Sequence, residues 1–325
     1  MVHNLFAVDF LAHVDYLEDI MSFVDSSPKI KDGDSINMWL YNENPDWDRS
    51  KGKGSPPIYA FRKKLKTINL IVGGVEPFCE ELLTQLGINI STWPTYFFNK
   101  TVRDIKEYNN PSLYRNVFPS KHFICMNNIP RYHRCHFMDQ LVKRGLDIYG
   151  EISWHLLFTM DGFRFKYWKP KIQKFSSQKY REEDSDINYD KMYLPNEWHS
   201  TAFNVILETD VDKCFITEKV TLPLLLGKPF ITLGSKGFYK RLEDLGFKLY
   251  DIFDYSFDEE SKIFHRVDAL LDTIQRVVKF TPQEIYEACK STAEYNKNIA
   301  YKIANDESLI PTLVKEHQMD WYCKQ

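Results

Sequence analysis

The sequence predicts an α/β protein built on parallel sheets, and three features carry the prediction. Residues 203–233, FNVILETDVDKCFITEKVTLPLLLGKPFITL, write a strand, a charged turn, a helix and a second strand. The apolar run at Phe203, Val205, Ile206 and Leu207 gives way to Asp and Thr, and a Leu-rich run then closes at Gly227 and Pro229, the pattern of a βαβ unit. Residues 121–150, KHFICMNNIPRYHRCHFMDQLVKRGLDIYG, repeat the theme. Here a strand at His122–Met126 meets a turn at Asn127, Asn128 and Pro130, and a helix follows with Phe137, Met138, Leu141 and Val142 on its apolar face and Gly145 as C-cap. Finally, 325 residues with 43% apolar and 15% aromatic content fill two ordinary cores, so the chain divides into roughly two domains.

In the first lobe, Phe10, Leu11, Val14, Leu17, Ile20, Met21 and Val24 are spaced for one face of a helix. Strands are expected at Ile36–Tyr41, Ile58–Phe61 and Ile68–Val72, with a polar surface loop over residues 42–57. Gly73 and Gly74 then permit close backbone approach, and Glu76 follows just past a strand's carboxyl end, which makes it the candidate general base. The same position equally suits a carboxylate that only complements a helix dipole. Asn109, Asn110 and Pro111 put an interlobe hinge near residues 108–119.

In the second lobe, residues 163–200 are aromatic, charged and aperiodic, with Trp168, Tyr180, Tyr189, Tyr193 and Trp198 suited to stacking on sugar rings or to loop packing. Gly234, Gly237 and Gly246 punctuate a strand, a helix and a further strand at Phe247–Ile252. Ile263, Val267, Leu270, Leu271, Ile274, Val277 and Val278 trace an amphipathic core helix. Thr281-Pro282-Gln283-Glu284 is a capping box with Pro at the first helical position, opening a helix that runs towards Asn305.

The triplet Thr217-Glu218-Lys219 stands where the helix of the first-mentioned unit opens. Thr217 can cap it, leaving free N–H groups and a positive dipole end to face an anion such as a diphosphate. Lys219 adds a mobile cation, and Glu218 offers two acceptor oxygens suited to vicinal ribose hydroxyls. Arg131 and Arg134 lie near the start of the other helix, where a guanidinium can hold phosphate oxygens bidentately, or simply face water. His133 and His136 sit three apart with no Cys or carboxylate pair to complete a tetrahedral metal set, and are expected on the polar face or against phosphates.

These segments carry a resemblance. Without a gap, Phe203–Lys219 resembles the donor-site stretch of the α-1,3/4-fucosyltransferases, F-x-x-x-F-E-N-S-x-x-x-D-Y-V-T-E-K. Phe203, Glu208, Phe215, Ile216, Thr217, Glu218 and Lys219 fall on its marked positions as identities or close substitutes, whereas Thr209, Asp210 and Cys214 depart from it. Lys121–Gly150 resembles the opening of the same family's C-terminal domain, with Asn127, the arginines and Tyr149 at corresponding places. The resemblance implies a GT-B fold, two Rossmann-like domains facing across a cleft. It divides the chain into an acceptor-side domain (1–115), a nucleotide-sugar domain (118–305) and a tail (306–325) that packs on the first domain, in the manner of a helix crossing back. The implied function is inverting, metal-independent transfer of fucose or a related sugar from a GDP- or UDP-linked donor to a hydroxyl of a glycan or other acceptor, with no further cofactor. Asn127, Arg131, Arg134, Tyr149, Glu208, Thr217, Glu218 and Lys219 would bind the donor, and Glu76 would act as base.

Two alternatives stay open. The acceptor is a hydroxymethylated base in DNA, as for phage enzymes, with Arg62, Lys63, Lys64 and Lys66 on phosphates; or the chain is an inactive GT-B-like binding module. A net charge of −3 argues against a generally basic, nucleic-acid-coated surface. The six cysteines show no C-x-x-C pairing and read as reduced thiols of a cytoplasmic protein, in the host cytoplasm if the source is viral. Asp9, His13, Asp15, Glu18 and Asp19 interrupt any N-terminal apolar span, so no signal peptide or membrane anchor is expected there. Asp210-Val211-Asp212 has D-x-D letters but reads as a turn, and no metal is expected.

Overall fold

A computed structural model describes residues 1–6, 24–40, 64–72, 87–115, 117–127, 131–154, 194–209, 211 and 216–310. The protein is α/β, with two four-stranded parallel sheets. Its chain divides into two units, Met1–Tyr96 with Asp306–Gln325, and Phe97–Asn305. The division falls at Tyr96/Phe97, ahead of the expected segment 108–119. The reason is the helix α1 (Tyr96–Tyr108), whose Phe98, Val102 and Ile105 are buried in the core of the second unit together with Leu113.

The first unit's sheet runs β1 (Val2–Phe6), β2 (Ser35–Leu40), β3 (Thr67–Val72) and β4 (Ile88–Thr92) in chain order. Two of these strands follow the expected apolar runs; β1 and β4 carry no such run, because VHNLF and INIST are short and half polar. The register explains the polar letters. Asn4, Asn37, Asn69 and Asn89 fall on one line across the four strands. Along it Asn69 donates to Asn37 at 2.8 Å and Asn89 to Asn69 at 3.0 Å, so the carboxamide of fully buried Asn37 is paired inside the sheet. The expected strand at 58–61, the loop at 42–57 and most of the N-terminal helical face lie outside the described residues.

The second unit's sheet has strands β5 (Lys121–Asn127), β6 (Gly150–Trp154), β7 (Thr201–Leu207) and β8 (Phe230–Leu233) in the order β6-β5-β7-β8. α2 (Tyr132–Lys143) links β5 to β6; α3 (Asn196–His199) precedes β7; and α4 (Glu218–Leu226) links β7 to β8. α5 (Phe238–Asp244), α6 (Ile263–Val277) and α7 (Pro282–Ala304) complete it. The β5–β6 and β7–β8 crossovers step in opposite directions along the sheet, so right-handed connections put α2 and α4 on opposite faces. Contacts agree: α2 packs with α6, and α4 with α7. β7 is buried at every position, as a central parallel strand must be.

Local signals hold where a specific backbone demand exists. Gly145 and Gly227 both take φ 68° at helix ends, and Thr281 with Glu284 forms the reciprocal capping box before Pro282. One expected strand is corrected: residues 247–252 form no strand. Instead the buried Asn296 side chain on α7 accepts from Lys248 N–H and donates to Lys248 carbonyl, both at 2.8 Å, occupying the bonds a neighbouring strand would have made. Of the two roles open to Trp198, the structure selects packing, with the residue only 4% exposed.

Trp198 shapes an unusual site at the sheet's amino edge. Lys228, buried after Gly227, lies 5.0 Å from the Trp198 ring centroid and donates to the Thr201 carbonyl. Burial brings its ammonium down to about 7 from 10.5, and burial likewise lowers the neighbouring His199. Between about pH 7 and 8.5 the unfolded chain therefore holds a proton that the folded one has shed, and stability rises with pH. Above ~8.5 the buried thiols of Cys125, Cys135 and Cys289, raised to about 12, act in the opposite sense. Urea melts from pH 7 to 8.5 should show the wild type gaining about 1.6 kcal/mol relative to Lys228→Met; equal slopes for both proteins would contradict this.

Candidate functional site

Strand order singles out one place in the second unit. From β5 the chain steps outward to β6, then returns to the far side as β7, so β5 and β7 are neighbours whose following segments leave in opposite directions. Such a switch point opens a crevice at the strands' carboxyl ends, the ligand position of open parallel sheets. Among the described strands of the first sheet, 1-2-3-4 in order, there is no equivalent reversal.

At the switch point β7 ends against α2. Arg134 sends two guanidinium N–H groups to the Leu207 carbonyl, at 2.7 and 3.1 Å, and a third contact to the Thr209 hydroxyl at 3.2 Å. His133 donates from Nε2 to the Glu208 carbonyl at 2.8 Å. Carbonyls at a buried strand end need donors once the ladder stops, and these two side chains supply them. His133 and Arg134 are 5% and 4% exposed, so the expectation of polar-face or phosphate-facing groups is corrected for both. Burial lowers the Arg134 guanidinium to about 10, with nearby Glu208 opposing, and it remains charged at neutral pH. The sequence held the signal. Arg134 lies at i−3, i−4 and i−7 from Phe137, Met138 and Leu141, on the apolar stripe rather than off it.

Glu208 is the first residue beyond β7, and its carboxylate turns towards α4. Both its oxygens accept from the Thr217 hydroxyl, at 2.8 and 3.1 Å, and that hydroxyl in turn accepts the Lys219 N–H at 3.2 Å. Thr217 is thus the N-cap of α4, in extended conformation, and is itself pinned by a buried acid. Glu208 is 1% exposed, and burial raises its carboxyl above the usual range while Lys219 draws it down.

Glu218 and Lys219 stand more open to solvent. Their side chains are half exposed and form an ion pair at 2.6 Å. Adjacent helix positions do not normally face each other, and an exposed pair is worth little, so both groups are available for exchange onto a ligand. Arg131, the N-cap of α2, is exposed with no side-chain cap bond. Asn127, the last residue of β5, is 3% exposed; its Nδ2 donates to Cys125 Sγ at 3.2 Å, and its Oδ1 has no hydrogen-bond partner among the described residues.

The structure therefore brings together Asn127, Arg131, Arg134, Glu208, Thr217, Glu218 and Lys219 around the carboxyl ends of β5 and β7. It does not bring Tyr149. That residue precedes β6, whose Gly150 pairs with Phe123 near the start of β5, and its ring packs edge-on against His122 at 5.1 Å. Parallel strands put it at the sheet's amino edge, about 20 Å from Asn127. Glu76 and the D-x-D aspartates lie outside the described residues. A groove of about 450 Å³ in the second unit is elsewhere, lined by Asn99, Val102, Arg103, Lys106, Glu107, Ala304 and Asn305, none of them motif residues.

Comparison with protein-family models, curated proteins and solved structures returns no match. Among the described residues no group of His, Cys, Asp and Glu is arranged to hold a metal ion, and no helix is long and apolar enough to cross a membrane.

Thr217 carries the local architecture, so its hydroxyl is the group to remove. Thr217→Val should destabilise the second unit by about 2 kcal/mol in urea melts, since it deletes the cap and leaves a buried acid unpaired, whereas Thr217→Ser should stay within about 0.5 kcal/mol. Equal stability of the two variants would contradict the assignment.

Proposed function

We propose that the protein is a glycosyltransferase that uses a nucleotide-diphosphate sugar, GDP- or UDP-linked, and that the second unit holds the donor at the amino end of α4. One observation carries the reading: the triplet that resembles the fucosyltransferase donor motif opens the crossover helix at the switch point of a parallel sheet, with Glu218 and Lys219 exposed and Thr217 capping. Two parallel-sheet units are also the number that a GT-B enzyme has.

In this reading the diphosphate meets the first N–H groups of α4, the Lys219 ammonium and the exposed Arg131 guanidinium. Glu218 releases Lys219 and accepts from the ribose hydroxyls. Arg134 contributes charge from behind, through the strand end it holds, rather than by touching phosphate. During transfer the bond from the anomeric carbon to the β-phosphate oxygen breaks, the nucleoside diphosphate leaves with the electron pair, and the acceptor oxygen bonds to the carbon as its proton passes to a base. Fixed cations and helix N–H groups oppose the charge that grows on the leaving diphosphate.

Thermal-shift measurements with GDP, UDP and their sugar esters test this directly. A nucleotide at about 100 times its dissociation constant should stabilise the protein by about 2.7 kcal/mol, and a Glu218→Ala, Lys219→Ala double variant should lose the response while keeping its unliganded Tm. An equal response in the double variant, or none to either nucleotide in the parent, would overturn the reading.

A further inference from the structure

We propose that Glu208 never contacts the donor but sets the affinity of the α4 amino end for it, by locking Thr217 in the capping position and by presenting a removable negative charge directly behind the anion site. The inference rests on the donor site proposed above and names the group that regulates it.

The geometry separates Glu208 from the ligand. Its two oxygens are both within 3.1 Å of the Thr217 hydroxyl, and the residue is 1% exposed, so the carboxylate is walled off by the cap it holds. Thr217 passes the interaction on to the Lys219 N–H, which fixes the first turn of the helix end that a diphosphate would meet. On the neighbouring strand, the Asn127 Oδ1 atom, on a residue 3% exposed, has no hydrogen-bond partner among the described residues and leaves a polar atom at the carboxyl end of β5.

Charge balance gives the device its sense. Lys219 and Glu218 from α4, and Arg134 and His133 from α2, surround Glu208, with Arg131 beyond Arg134. Glu218 and Lys219 neutralise each other in the free protein. A charged Glu208 likewise offsets Arg134, so protonating Glu208 leaves the helix end more positive and strengthens anion binding. Burial raises the carboxyl above its ordinary value, which moves this step towards physiological pH.

The probe should be a GDP-sugar and a UDP-sugar, whose diphosphate diesters lack the ~6 second ionisation of a phosphate monoester and so do not titrate over the range used. Isothermal titration of the full chain from pH 5.5 to 8 should show affinity falling about tenfold in the wild type, an effect of one charge acting through a partly shielded interior. Glu208→Gln, which keeps an acceptor for Thr217, should hold the tighter, acid-side affinity throughout. Thr217→Ser, which keeps the hydroxyl, should reproduce the wild-type profile and supports the proposal even if the Gln variant folds poorly. A flat wild-type profile, a Gln variant that follows the wild-type slope, or a folded Gln variant that binds no donor at any pH would each overturn it. Absence of binding by every protein at every pH would instead remove the donor site beneath it.

Discussion

The end of β7 is the constraint on which the second unit depends. A parallel strand buried at every position must stop somewhere, and where it stops its carbonyls lose their ladder partners. Arg134 and His133 meet that demand from α2 on one face, while the Glu208 side chain reaches Thr217 at the start of α4 on the other. A single strand terminus thereby fixes the amino-terminal portions of both crossover helices. The buried polar groups here are costly if broken and rigid if satisfied, which suits a place where two helix ends must keep their orientation.

Stability and binding pull against each other at this point. A carboxylate placed behind a helix's amino end strengthens the cap and satisfies the dipole, yet it occupies with negative charge the field that an anionic ligand would use. The exposed Glu218–Lys219 pair adds a weaker version of the same compromise, since each would have to leave the other to engage the proposed nucleotide. Sites that bind charged ligands commonly carry such local conflicts, and the surrounding apolar core of α6, α7 and β8 supplies the stability they lack.

The βαβ units, their caps and the long helices were legible in the sequence because each rests on a local rule. Periodicity marks Ile263–Val277, a positive φ requires Gly145 and Gly227, and Thr281 with Glu284 closes a box within one turn. What escaped depends on long-range pairing. Asn37, Asn69 and Asn89 are unremarkable polar letters until three strands align them; Asn296 stands in for a strand across 48 residues; and Tyr149 reads as a site residue until the register puts it at the wrong end of β6. The candidate site was half legible. Thr217, Glu218 and Lys219 announce a helix start, but whether an arginine faces water or the strand end is decided by its place on the apolar stripe, and the inward turn of Glu208 by a partner nine residues away.

The central claim is that the amino end of α4 receives the diphosphate of an activated sugar. A crystal structure of the full chain soaked with GDP- and UDP-sugars tests it most directly. The account predicts phosphate oxygens within hydrogen-bond distance of the first main-chain N–H groups of α4 and of the Lys219 ammonium, with the Glu218–Lys219 pair opened. A nucleotide bound anywhere else, with that pair intact and the helix end facing only water, would contradict it.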